Sequence, residues 1–212
     1  MSEFYGILNN SLRLLSRGSI DNGSSWDNAT SPTANYLYGV TFGNDTFVGV
    51  GASGNIIRST DNGSSFDNVT SPRTDILIGV AFGNNTFVAV SIEYDGVSSF
   101  IGNIGRSTDN GSSWSSVTSP TVKNHYGVTF ANNTFVGSGW LGIIVRSTDN
   151  GSTWDNATSP TANDLYGVTF GNNTFVAVGN SGNIVRSTDN GSSWDNATSP
   201  TGNAIYGVAF YE

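Results

Sequence analysis

The chain alternates short apolar runs with turns rich in Gly, Asn, Ser and Asp, and no stretch shows the period of an amphipathic helix. In the segment 165–171, LYGVTFG, large residues fall on one face of an extended strand and small residues on the other. Three further segments of strand character follow, at 174–179, 183–188 and 192–198. The pattern therefore predicts four short strands in succession and an all-β fold.

This order of segments recurs five times along the chain. The Asp of an Asp-Asn-Gly triplet marks each unit, and the five Asp residues are spaced by 40, 48, 40 and 40 residues. The glycines of the YGVTF-like motifs, from Gly39 to Gly207, have the same four spacings. Four strands repeated at a period near 40 are typical of a β-propeller, whose blades bury their faces against each other. We therefore predict a five-bladed β-propeller of four-stranded antiparallel blades.

Each unit also carries a Ser-x-Asp-x-Gly-x-x-Trp motif, with Phe in place of Trp in the second copy. These motifs resemble the Asp-box, or BNR repeat, of sialidase-type propellers, and the resemblance covers essentially the whole chain. It implies a hairpin between the third and fourth strands, in which the Asp binds its own turn and the aromatic residue packs into the blade. The structural residues it implies are Asp21, Asp61, Asp109, Asp149 and Asp189, with Trp26, Phe66, Trp114, Trp154 and Trp194. A calcium site is not indicated, because the motif lacks the spaced carboxylates and the closing Glu of a calcium loop.

The first unit is too short at its N-terminal end to supply an inner strand. Residues 203–212 form an inner strand that no further blade follows, so we predict that they join the N-terminal blade and close the ring. The whole chain, 1–212, is then a single domain. The predicted blades are 203–212 with 1–31, then 32–72, 73–120, 121–160 and 161–202.

The composition of the chain limits which partners it can bind and where in the cell it is expected. The net charge is -8 with only eight Lys and Arg residues, which disfavours nucleic acid. Cysteine is absent, so disulfides and thiolate sites are excluded. The start of the chain lacks the features of a signal peptide and no apolar run is long enough to cross a bilayer. We therefore expect a soluble monomer without membrane insertion, cytoplasmic unless a non-Sec route exports it.

The residues do not support catalysis. The resemblance to sialidases implies three clustered arginines, a Tyr–Glu nucleophile and an Asp acid/base, and this pattern is not present. The arginines of the third strands are expected to brace neighbouring blades, and Asp75 and Asp164 are expected at a wet surface. The lone His125 completes no visible triad or metal set. We predict no enzyme activity, no cofactor and no metal.

Four departures from the repeat stand out, and all of them are in blades three and four. These are the linker cation Arg73, an eight-residue excess within 91–103, the linker 122–125 and the turn 139–142. Linkers and second-to-third-strand loops emerge on one face of a propeller, and the Asp-boxes on the other. We therefore predict a recognition patch on that face, with neutral drift of loops as the alternative. Its residues are Trp140, Leu141, Tyr94, Phe100, His125, Lys123 and Arg73, with Tyr94 and His125 toward its rim.

The function that these features favour is non-catalytic recognition. A carbohydrate ligand is preferred, because exposed aromatic rings beside Asn, Asp and Ser turns suit sugar faces and hydroxyls. A protein-interaction scaffold is the alternative, and a glycosidase the distant one. The similarity of the units also permits five equivalent weak sites between blades. Those sites would be led by Tyr38, Tyr126, Tyr166 and Tyr206.

Overall fold

The structure is a computed structural model of the chain that describes residues 14–17, 27–93 and 102–210, with side chains from Thr30 onward. The described residues form four four-stranded antiparallel sheets and one two-stranded sheet. We number the four large sheets as blades 2 to 5, after the repeat unit that forms each. The all-β prediction with four strands per unit is confirmed for these four units.

The strands follow one another in each sheet in chain order. The two-stranded sheet pairs β1 (Leu14–Arg17) with β2 (Asp27–Thr30). Blade 2 contains β3 (Leu37–Gly43), β4 (Thr46–Gly51), β5 (Ile56–Ser59) and β6 (Asp67–Val69). Blade 3 contains β7 (Ile76–Gly83), β8 (Thr86–Ile92), β9 (Ile104–Ser107) and β10 (Ser115–Val117). Blade 4 contains β11 (His125–Ala131), β12 (Thr134–Gly139), β13 (Ile144–Ser147) and β14 (Asp155–Ala157). Blade 5 contains β15 (Leu165–Gly171), β16 (Thr174–Gly179), β17 (Ile184–Ser187) and β18 (Asp195–Ala197). Short 3-10 turns, Ala52–Gly54, Trp140–Gly142 and Asn180–Gly182, join the second and third strands of blades 2, 4 and 5.

The hydrophobic core lies between blades rather than inside one. Inner strands contact each other in the order β3, β7, β11 and β15. Val48 and Ile56 of blade 2, for example, form one buried cluster with Phe87 and Trp114 of blade 3. Each blade therefore depends on its neighbour to cover its apolar face, as expected for repeats too small to bury their own core.

Small residues at the ends of the inner strands permit this close approach. A Cβ on Gly43 would collide with the ring of Phe82 in the next blade, and one on Gly83 would collide with Phe130. The alternation of large and small residues seen in the sequence thus allows the Phe of one blade to pack on the Gly of the preceding blade.

The predicted five complete blades and the closed ring are not shown. Residues 203–210 lie beside blade 5, where Ile205 N donates to Gly179 O (3.0 Å) and the Tyr206 ring stacks on Tyr166. This is the place of a following inner strand, but the segment forms no strand and Tyr206 is 76% exposed. The first unit contributes only the β1–β2 pair to the described residues. Residues 1–13, 18–26 and 211–212, which the closure prediction also involves, lie outside the described residues, as do Asp21 and Trp26.

Candidate recognition surface

The Asp-box motifs form hairpins between the third and fourth strands of blades 2 to 5. In blade 5, Asp189 Oδ1 accepts hydrogen bonds from Ser187 Oγ (2.8 Å) and Ser193 N (2.9 Å). Gly191, at φ 81°, donates its N–H to Ser187 Oγ, and Trp194 Nε1 donates to Gly191 O (3.1 Å). The equivalent bonds to the Asp recur at Asp61, Asp109 and Asp149. Each carboxylate is therefore engaged by its own turn.

The same bonds set the charge state of the boxes. Hydrogen bonds from the Ser193 side chain and backbone, then from Ser187, lower the pKa of Asp189 to about 2. Asp189 is itself exposed, so its turn bonds lie at the surface. Within the described residues, no group of three or more His, Asp or Glu side chains is arranged to hold a metal ion.

The recurring arginines of the third strands connect neighbouring blades, as predicted. Arg58 Nε donates to Asn110 O (2.7 Å), Arg106 Nε to Asn150 O (2.7 Å) and Arg146 Nε to Asn190 O (2.9 Å). Each arginine thus binds the Asp-box of the following blade.

The opposite face is formed by the linkers and the second-to-third-strand connections, and we call it the linker face. Asn124, in the linker into blade 4, accepts at Oδ1 from Glu93 N (3.1 Å) and at its carbonyl from Trp140 N (2.9 Å). Gly102 N donates to Val122 O (3.3 Å). The structure therefore brings the base of the insertion, the linker and the turn of blade 4 together.

The turn of blade 4 differs in detail from the prediction. Trp140 is half-buried, whereas Leu141 lies at the tip with φ 53° and is 43% exposed. Lys123 is half-exposed. Tyr94 and Phe100, which we also predicted in the patch, lie outside the described residues. The solvent-facing residue of this turn is thus the leucine rather than the tryptophan.

The prediction that His125 lies at the rim of the patch is wrong. His125 is fully buried and opposes Gly139, as Leu165 opposes Gly179 in blade 5. Its Nε2 lies 2.9 Å from Ser119 Oγ, and its Nδ1 has no partner. Burial lowers the pKa of His125 to about 4. The residue therefore replaces a core leucine and cannot contact a ligand at the surface.

The expectation that Asp75 lies at a wet surface is also wrong. Asp75 is buried and accepts hydrogen bonds from Arg73 Nε (2.6 Å), Ser91 Oγ (3.2 Å) and Asn103 Nδ2 (2.6 Å). Arg73 also lies 3.5 Å from Glu93. Two carboxylates thus neutralise the Arg73 guanidinium, so it holds the base of the insertion instead of offering a cation to a ligand.

Sequence reasoning missed most of the apolar residues exposed on the linker face. Val122 is 72% exposed and Tyr36 is 60% exposed, and Ile76 and Leu141 are also exposed. A signal was present for Val122, because the other units carry Ala, Thr or Gly at its position. The exposure of Tyr36 and Ile76 required the structure, since both precede or begin an inner strand.

Tyrosines of consecutive inner strands form a row on the linker side. The ring centroids of Tyr126 and Tyr166 are 5.6 Å apart, and those of Tyr166 and Tyr206 are 5.2 Å apart with planes 21° from parallel. Burial and the Asp164 carboxylate raise the pKa of Tyr126 to about 12. The row ends at blade 3, which has Ile78 at this position. The predicted equivalence of the sites between blades is therefore broken by the sequence of the inner strands.

An open groove of about 470 Å³ lies between blades 3 and 4. Its lining is Ser116, Val117, Thr118, Ser119, Pro120, Ser152, Thr153 and Trp154. None of these side chains titrates near neutral pH, so the groove offers no acid or base. Within the described residues, no helix is long or apolar enough to span a bilayer.

No family model matches the chain, and no curated protein matches it. Among solved structures, the chain is similar to YCF48 bound to D1 peptide, with 17% identity and a TM-score of 0.63 over 84% of this chain and 58% of that chain. It is similar to YCF48 from Cyanidioschyzon merolae, with 16% identity and a TM-score of 0.65 over 88% and 63% of the two chains. It is also similar to a chain of the nidogen/laminin complex, with 12% identity and a TM-score of 0.67 over 88% and 73%.

These similarities, with the four-stranded sheets, support a β-propeller fold. The chain spans less than two thirds of the length of the two YCF48 chains. The narrower resemblance to the Asp-box family stays a prediction, because no family model matches.

Proposed function

We propose that the chain is a non-catalytic module that binds a protein or peptide partner on its linker face. The observation that carries the proposal is the set of exposed apolar side chains on that face, Tyr36, Ile76, Val122 and Leu141. Exposed apolar patches rimmed by polar groups are typical of protein interaction sites. The turns of the Asp-box face, by contrast, present mainly Asn, Asp and Ser, although Phe42 and Phe210 are 44% and 47% exposed near that face.

The ionisable groups that are buried in the blades or held in the box turns support binding rather than catalysis. Asp75 is engaged by Arg73, Ser91 and Asn103, and each described box Asp is engaged by its turn. His125 is buried, with a serine hydroxyl as its neighbour. A general acid or base must reach the substrate, and none of these groups is free to do so. That a solved relative of the fold, YCF48, was found with a peptide is consistent with a binding role.

A carbohydrate ligand becomes the second candidate. Exposed rings such as Tyr36 and Tyr206 favour it, because sugars stack on aromatic faces. Ile76, Val122 and Leu141 favour a protein, because aliphatic side chains offer nothing to sugar hydroxyls. The aliphatic residues reverse the order that the sequence alone suggested.

Selection of ligands tests the proposal. The labelled chain is screened against a displayed random peptide library and against a glycan array. We expect peptide ligands, and we expect Val122→Ser with Leu141→Ser to weaken them at least about ten-fold, as the loss of interface anchors does. The matched control is Ser112→Ala with Ser192→Ala in exposed box turns, which should leave affinity unchanged. Glycan hits with a silent peptide library, or peptides that bind the double variant normally, would overturn the proposal.

We also propose that residues 203–210 and the first unit complete a fifth blade. Blade 5 has the surface that the other blades use to receive the next Asp-box, consisting of Thr174, Val176 and Arg186. The equivalent Thr46, Val48 and Arg58 contact the box of blade 3 through Asn110 and Gly111. In blade 5 this surface is more exposed than in blades 2 and 4. The sequence places the first box at residues 19–26.

A cross-linking experiment tests closure in this cysteine-free chain. Asn22→Cys with Thr174→Cys should be linked within one chain by a short bis-maleimide. The matched positive control is Asn190→Cys with Thr134→Cys, whose side chains are in contact (Asn190 Nδ2 to Thr134 Oγ1, 2.6 Å). The negative control is Asn22→Cys with Thr134→Cys. A covalent dimer from the test pair, or no product while the positive control reacts, would show that the chain does not close its own ring.

A further inference from the structure

The tyrosine row, Tyr126, Tyr166 and Tyr206, is accompanied by a carboxylate. Asp164 lies two residues before Tyr166, and burial together with the Asp164 carboxylate raises the pKa of both Tyr126 and Tyr166. Its Oδ1 accepts the N–H of Leu141 (2.9 Å), which ties it to the turn of blade 4. The carboxylate is therefore held beside the rings by a backbone contact.

Asp164 retains capacity for a cationic group. It is only half-buried, its Oδ2 has no hydrogen bond in the described part of the chain, and no described Lys or Arg lies within salt-bridge distance of it. Arg73 is neutralised by Asp75 and Glu93. The chain as a whole carries -8, so a cationic partner is favoured over an anionic one.

The site exists once in the repeat. The other units carry Tyr36, Ile76, Asn124 and Ala204 where unit five carries Asp164. Among the described residues, three adjacent tyrosines and this carboxylate therefore come together only at the junction of blade 4, blade 5 and the C-terminal segment. This asymmetry argues for one binding site of higher affinity instead of five equivalent binding sites.

We propose that the tyrosine row and Asp164 bind an arginine side chain of the partner. A guanidinium stacks on tyrosine rings and donates two parallel hydrogen bonds to a carboxylate, whereas an ammonium group does neither as well. Leu141 contacts Asp164 and directly follows the half-buried Trp140, so residues flanking the arginine would meet the apolar part of the linker face. The inference rests on the proposed peptide-binding function and names the residue that it recognises.

The test uses fluorescence anisotropy at low ionic strength with labelled Gly-Ser peptides that contain arginine, citrulline or lysine. Citrulline has the shape of arginine without its charge. We expect the arginine peptide to bind best, and Asp164→Asn to weaken it by about five-fold or more, the effect of losing a charge-assisted contact. Tyr206→Leu, at an exposed position, should weaken it as well. Melting temperatures of both variants should stay near that of the parent.

The matched control is Asp195→Asn on the exposed outer strand β18, which changes the net charge equally. Equal weakening by Asp164→Asn and Asp195→Asn would reduce the effect to general electrostatics and overturn the site. Equal binding of the citrulline or lysine peptide would overturn the assignment of a guanidinium. If library-selected peptides without arginine still depend on Val122 and Leu141, the proposed function stands and this inference alone fails.

Discussion

The Asp-box face and the linker face differ in how regularly their contacts repeat from blade to blade. On the Asp-box face, the box Asp is bonded to its own turn in each of blades 2 to 5, and the strand arginines of blades 2, 3 and 4 bind the next box. On the linker face, blade 3 has Asp75 buried beside a partly exposed Arg73, blade 4 has His125 in its core, and the linker into blade 5 has Asp164 bonded to the turn of blade 4. The Asp-box face contributes stability through contacts that recur from blade to blade. The linker face carries contacts that each occur at one position of the repeat.

The largest expected loss of stability comes from replacing a tryptophan of a box, and a tryptophan of the linker face provides the comparison. Trp154→Ala should cost about 3–5 kcal/mol of unfolding free energy, because the ring is buried against Phe135 of its own blade and Val88 of blade 3. Trp140→Ala, on the linker face, should cost clearly less, because Trp140 is half-buried in a turn. Urea unfolding measures both. Equal losses of unfolding free energy would contradict the claim that the box contributes more to stability than the linker face.

A pH-dependent effect is expected from His125. Its pKa of about 4 in the folded chain is below the ordinary value of 6.5, so the unfolded chain binds more protons between these values. Stability is therefore full above pH 6.5 and should fall by up to about 3 kcal/mol as the pH drops toward 4.

His125→Leu should abolish this dependence of the unfolding free energy on pH. Leu165→His should introduce a second dependence of similar size. Unfolding curves between pH 7 and 4.5 provide the measurement, since the box carboxylates protonate only at lower pH. A slope that survives in His125→Leu would assign the pH dependence to other groups.

A smaller effect is expected from a single box carboxylate. Asp189→Ala should cost about 1 kcal/mol, because Asp189 is exposed and its bonds compete with water. Asp195→Ala, at another exposed Asp, should change stability by less than about 0.5 kcal/mol. Chelator should leave the melting temperature of the parent unchanged. A drop that calcium restores would show that the boxes hold a metal.

The smallest stability effect is expected at the proposed interface itself. Val122→Ser should change the unfolding free energy by less than about 0.5 kcal/mol, because the side chain is almost wholly exposed. Its effect should appear only in the affinity for selected peptides. Strong destabilisation would mean that Val122 supports the fold.

Much of the fold could be read from the repeat, because a period of 40 with alternating large and small residues leaves few ways to bury the large ones. The strand bounds of β15 and β16 match the predicted segments. His125 could have been placed correctly by aligning it with Leu37, Leu77 and Leu165, since a position that carries leucine in the other units packs into the core. The burial of Asp75 had no such signal, because its partners Ser91 and Asn103 are distant in sequence.

By itself, the sequence determined the all-β class, the four-stranded unit and the hairpin of each box, because these depend on contacts within one unit. Tertiary structure decided which side chains of the linker face meet. Arg73 forms an ion pair, Leu141 is more exposed than Trp140, and Asp164 accepts the N–H of Leu141 from another blade. The Asp164 contact depends on how neighbouring blades pack, and the Arg73–Asp75–Glu93 cluster depends on how the linker of blade 3 folds back on its second strand.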